Sequence, residues 1–73
     1  MKIVMEIGNN LYMGWNQDRM FMKAVRSKAI EFEHGEDIFR FINCNRKKIN
    51  AFLKRNALHM KLKIEADSLK SAS

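Results

Sequence analysis

Two short runs rich in β-forming residues, at positions 2–7 and 11–15, flank Gly8-Asn9-Asn10, so the chain is expected to open on a hairpin. Gly and Asn tolerate the positive φ that such a turn asks for. Further on, Asp37-Ile38-Phe39-Arg40-Phe41-Ile42 reads as another strand, and residues 29–33 read as its hairpin partner across His34-Gly35-Glu36. After the Asn43-Cys44-Asn45 break the period changes. Ile49, Phe52, Leu53 and Ala57 recur at helical spacing, while Lys47, Lys48, Lys54 and Arg55 fall on the other side of a 3.6-residue wheel. Asn45 or Asn43 is placed to cap this helix. From His59 the alternation returns, with Met60, Leu62 and Ile64 expected inward and His59, Lys61 and Lys63 outward, which predicts a closing strand over 59–65.

Sliding the chain by 27 positions aligns Ile3 with Ile30, Glu6 with Glu33, Gly8 with Gly35, Asn16 with Asn43, Arg19 with Arg46 and Ala24 with Ala51. This suggests a duplicated unit, residues 1–27 and 28–54. The alignment then assigns a first helix to residues 18–27, where Met20, Met22 and Ala24 also alternate as on a strand. The resulting order is ββαββαβ: an α+β domain over residues 1–66, mostly antiparallel, with two helices on one face and a frayed tail at 67–73. Pleat parity adds a surface. If Arg40 avoids the core, Phe39 and Phe41 point inward and Ile38 and Ile42 outward, and the repeat sends Leu11, Met13 and Trp15 outward with them. That face is either an apolar contact surface or partly buried by sheet twist.

Composition sharpens the class. Hydrophobic residues make up 47% of the chain, with five Phe, one Trp and one Tyr, too apolar for a disordered segment. Fourteen Lys and Arg against eight acids give a net charge of +6, which suits an anionic partner or plain solubility. The charge is uneven: residues 1–35 hold five bases and four acids, residues 36–73 nine and four. Cys44 is the only cysteine, so neither an internal disulfide nor a cysteine zinc cluster forms within the chain, in keeping with a reducing cytoplasm. No apolar run approaches the roughly 18–20 residues of a membrane helix, and the N-terminus lacks a signal-peptide pattern. The expected location is cytoplasmic, with no membrane partner, as a monomer or homodimer.

Catalytic chemistry finds little footing. His34 and His59 have no second ligand at a metal-binding spacing, Cys44 has no base to activate it, and the three glycines stand singly rather than in a phosphate-cradling loop. The acids Glu31, Glu33, Glu36 and Asp37 read as a solvated edge, since a hard cation needs about six oxygens held in a loop. No enzyme, metal or cofactor is expected. The basic set is more informative: Arg46, Lys47, Lys48, Lys54 and Arg55 on the helix, with Lys61 and Lys63 on the next strand, are candidates for phosphate contact. Arg40 and Trp15 add stacking against a base. No Glu stands four residues before these helical bases, as a helix stabilised by charge pairing would have.

Gly-Glu-Asp before an aromatic strand, Asn-Arg-Lys-Lys opening a basic helix, and Met-Lys-Leu-Lys-Ile as an alternating strand together resemble small early proteins of bacteriophages and mobile elements. The likeness covers residues 35–64, and the stretch from Gly14 to Ser27 falls outside it. It implies a small domain that binds DNA or RNA, or one that blocks a host enzyme or defence complex in the manner of an anti-CRISPR protein. The first reading uses the basic helix and strand. The second uses Leu11, Met13, Trp15, Ile38 and Ile42 as a protein-contact face.

Overall fold

The structure, a computed structural model, describes residues 1–66. The expected tail at 67–73 lies outside the described residues. The order is β1 (Lys2–Gly8), β2 (Leu11–Trp15), β3 (Phe21–Ala24), a 3₁₀ turn (Arg26–Lys28), β4 (Glu31–Phe32), α1 (Gly35–Cys44), α2 (Arg46–Arg55) and β5 (Lys61–Glu65). It is an α+β fold with two helices and a five-stranded antiparallel sheet.

β1 is the organising strand because it is apolar on both faces. Ile3, Met5 and Ile7 are buried towards the helices, and Val4 is buried on the opposite side. β5 pairs along one edge from Lys2↔Glu65 to Glu6↔Lys61. On the other edge β4 takes the first half (Ile3↔Phe32, Val4↔Glu31) and β2 the second (Glu6↔Tyr12, Gly8↔Leu11), with a bulge between Glu6 and Gly8. The β1–β2 turn keeps its expected place, although the positive φ falls on Asn10, not on Gly8.

Ile38 of α1 and Ile49 of α2 drive into the face formed by Ile3, Met5, Ile7 and Met13, and both helices therefore cover one side of the sheet. Burying each of these side chains is worth roughly 1.5–3 kcal/mol. Phe52 and Leu53 are only partly buried beside them.

The ββαββαβ order is corrected in two places. Residues 21–24 form a strand where a helix was expected. The side-chain oxygen of Asn16 accepts hydrogen bonds from the amides of Asp18 (2.8 Å) and Met20 (2.9 Å), which reverses the chain and lays β3 back along β2. Residues 37–42 are helical where a strand was expected. Ile38, Phe41 and Ile42 stand at i, i+3 and i+4 on the buried side of α1, and Glu36 and Asp37 in its first turn complement the positive end of the helix dipole. Packing decides against the β preference of Ile and Phe. The 27-residue alignment is thus not a structural repeat: Gly8 ends a strand where Gly35 opens a helix, and Arg19 lies in a turn where Arg46 starts α2.

Pleat parity fails with the strand it was read from. Ile38 is fully buried while Phe39, expected inward, is 60% exposed. Met13 and Ile38 are core and Leu11 and Ile42 pack partly buried against it, so of the face expected to contact protein Trp15 alone stays exposed. Leu62 and Ile64 share the side of their partners Met5 and Ile3, yet on this edge strand Ile64 stays 66% exposed and does not join the core.

Candidate nucleic-acid interface

α2 begins immediately after α1, with Asn45 between them. The expected capping bond is absent. Asn45 Nδ2 instead donates to the Phe41 carbonyl at 2.9 Å and closes α1, and Asn43 Oδ1 accepts from Arg46 at 2.7 Å. At the far end Leu58 N–H reaches the Leu53 carbonyl (2.8 Å) and Ala57 N–H the Lys54 carbonyl (3.3 Å), with Ala57 in the left-handed region. This is a Schellman termination with alanine at the position glycine usually takes.

Between these ends α2 sorts its bases by wheel position. Residues seven apart differ by only about 20°, so Lys48 and Arg55 form one stripe and Lys47 and Lys54 another. Lys48 and Arg55 border a groove of about 990 Å³ together with Ala51 and Phe52. The turn after β2, which brings in Arg19, lines it too, as do Trp15 and Phe21. No acid lines it among the described residues. Arg19 has φ 59°, a left-handed conformation uncommon outside Gly and Asn, and so a side chain is carried at the tip of a turn where backbone sterics favour none.

Trp15 and Phe21 are a directly opposed cross-strand pair on β2 and β3. Their rings stack with centroids 4.8 Å apart and planes 23° from parallel. Phe41 meets both nearly edge-on, at 5.9 and 6.0 Å. Trp15 nevertheless stays 44% exposed.

No family model, curated protein or solved structure matches this chain. The site's chemistry therefore stands on its own geometry.

The open face of the sheet is a different environment. There Arg26 Nε and Nη2 donate to the Glu65 carboxylate and Nη1 donates to Glu31 (2.7 Å), while Lys2 lies 3.5 Å from Glu31. Lys61 lies 3.9 Å from Glu6, and Lys63 lies 4.0 Å from Glu65 and over the Tyr12 ring at 5.9 Å. Hydrogen bonds from Arg26 hold both Glu31 and Glu65 below the usual glutamate range, and the same bonds, Glu65's first, push the Arg26 guanidinium still higher. The face is laced and nearly self-neutralised.

Lys61 and Lys63 consequently do not extend the α2 patch. Register places them beside Glu6 and Val4 on the side of the sheet away from the helices. Arg40 is exposed on α1, about 200° round from buried Ile38. Arg46 is exposed at the start of α2 and tied to Asn43. Of the residues expected to contact nucleic acid, the fold thus gathers Trp15, Lys48 and Arg55 in the groove and leaves Lys47 and Lys54 on the neighbouring stripe. Arg19 and Phe21 complete the groove and were not anticipated, since assigning residues 18–27 to a helix hid the turn that carries them. The Asn16-Gln17-Asp18 cluster before Phe21 was the available turn signal.

Proposed function

We propose that the protein binds nucleic acid, DNA or RNA, through the α2 side of the molecule, with Lys48, Arg55 and Arg19 contacting phosphates at the groove and Lys47 and Lys54 adding to the positive field. One observation carries this reading: the bases of the open sheet face are matched by Glu6, Glu31 and Glu65, whereas Lys47, Lys48, Lys54 and Arg55 have no acidic partner among the described residues. Unneutralised charge beside a cleft focuses the field there and attracts polyanions. Two of these bases, Lys54 and Arg55, lie in the last turn of α2 and also complement its dipole, a structural service worth about 0.3–1 kcal/mol each. That service needs no groove and does not account for Lys48 or Arg19.

Phosphate binding displaces condensed counterions, so its affinity falls linearly in log–log form with salt. The test is fluorescence anisotropy with labelled single-stranded and duplex DNA and RNA between about 50 and 200 mM salt. Binding that weakens steeply across this range supports the proposal. Absence of salt-sensitive binding to all four probes overturns it.

A further inference from the structure

We infer that the groove takes an unpaired nucleobase on the outer face of Trp15, which makes the protein selective for single strands; this rests on the nucleic-acid reading above and goes beyond it. The argument is geometric. Phe21 covers one face of the indole, with ring centroids 4.8 Å apart. A third ring capping the opposite face would lie roughly one further stacking distance from Phe21, about 10 Å. Phe41 instead lies 5.9 Å from Trp15 and 6.0 Å from Phe21, with its plane 85° and 77° from theirs. The three centroids form a nearly isosceles triangle, and Phe41 therefore flanks the stack without capping it. Phe52 likewise approaches Phe21, at 6.2 Å. Among the described residues no aromatic ring covers the outer indole face, and Trp15 is 44% exposed and lines the groove.

A large aromatic backed by a second ring and flanked by a third is held in place before any ligand arrives. That lowers the ordering cost of stacking a base upon it. Lys48 and Arg55 line the same groove, about 10 Å apart along the helix axis, where a backbone can run past the stacked base. Positive groove and stacking platform together are what sequence-tolerant single-strand binders combine. A duplex keeps its bases stacked on each other and offers Trp15 none.

Trp15 is the only tryptophan, so its emission reports on the platform directly. Full-length protein is titrated at low salt with a twelve-residue oligothymidylate, the matching oligouridylate, a blunt duplex of equal length, and an abasic oligonucleotide that keeps the phosphates but lacks bases. Both base-bearing single strands are expected to quench Trp15 and to bind at least tenfold tighter than the abasic strand and the duplex. Trp15→Leu should weaken binding to oligothymidylate about 5- to 150-fold, the span given by one stacked base. Trp15→Phe should retain most of it, with circular dichroism confirming that both variants fold. Equal salt-sensitive binding of abasic, duplex and base-bearing strands would overturn this inference and leave the phosphate reading standing. No binding by any probe would overturn both.

Discussion

Arg26 and Glu65, 39 residues apart in the chain, meet through two guanidinium nitrogens on one carboxylate, and the third nitrogen of Arg26 reaches Glu31. One side chain thereby ties the 3₁₀ turn to both β4 and β5. Because both carboxylates are held below their ordinary pKa, their contribution to stability is complete above the unfolded-state value near 4.3 and is lost as pH falls through the lower folded-state values. Arg26→Gln should therefore melt below wild type at pH 7, and the gap should narrow as pH drops below about 4. Thermal melts from pH 7 to 2.5 check this, and a gap that stays constant would show that the clasp is not what titrates.

Ile38 and Phe39 distinguish the helix observed at 35–44 from the strand expected there. Ile38→Ala should cost about 2–5 kcal/mol, the transfer term plus a residual cavity. For a domain this small that removes a large share of total stability. Phe39→Ala should be nearly silent, since the ring is exposed. Chemical denaturation of the two variants gives the ranking, and a strand with Phe39 inward predicts the reverse order.

Gly14 is held by crowding alone. A Cβ there would stand 2.7 Å from the Lys28 carbonyl oxygen and 2.8 Å from Ala24 Cβ, a backbone and a rigid neighbour that cannot swing aside. Gly14→Ala should destabilise by about 1–3 kcal/mol. At Gly35, in the first turn of α1, a Cβ meets nothing within 4 Å, and Gly35→Ala should be neutral or stabilise by up to about 1 kcal/mol. Melting temperatures moving the same way for both would contradict this account.

Ala57 closes α2 with φ 53°, where a side chain is strained and glycine is not. Ala57→Gly is expected to raise stability by up to about 1 kcal/mol, the left-handed penalty less the entropy glycine adds to the unfolded chain. A thermal melt no higher than wild type would show that the C-terminal turn already absorbs the strain.

The elements legible in the sequence were those with one dominant period. The β-forming runs of β1 and β2 beside their Gly-Asn-Asn turn, the Ile49–Phe52–Leu53 spacing of α2 and the alternation of β5 each led to the right element. Residues 35–44 and 18–27 were ambiguous. Ile38, Phe39, Phe41 and Ile42 satisfy a β preference and a helical stripe at once, and only the sheet face they pack on separates the two. In the site, Trp15, Lys48 and Arg55 could be picked out by type, but Arg19 and Phe21 join them only through the Asn16 turn, and the packing of α2 on the sheet brings the two sides together. The face of Lys61 and Lys63 depends on a register that no local pattern encodes.

The central claim is that the functional charge is the α2 groove and not the total of +6. It is tested by the salt dependence of oligonucleotide affinity for two equally charged double variants, Lys48→Gln with Arg55→Gln and Lys61→Gln with Lys63→Gln. Each removes two bases and leaves the buried Ile49 and Val4 beside them untouched. Loss of the groove pair should weaken binding and flatten the slope of log K against log salt by up to ~1.4 for a single strand, while loss of the β5 pair should leave the slope close to wild type. Equal flattening by both variants, or none by the groove pair, would contradict it.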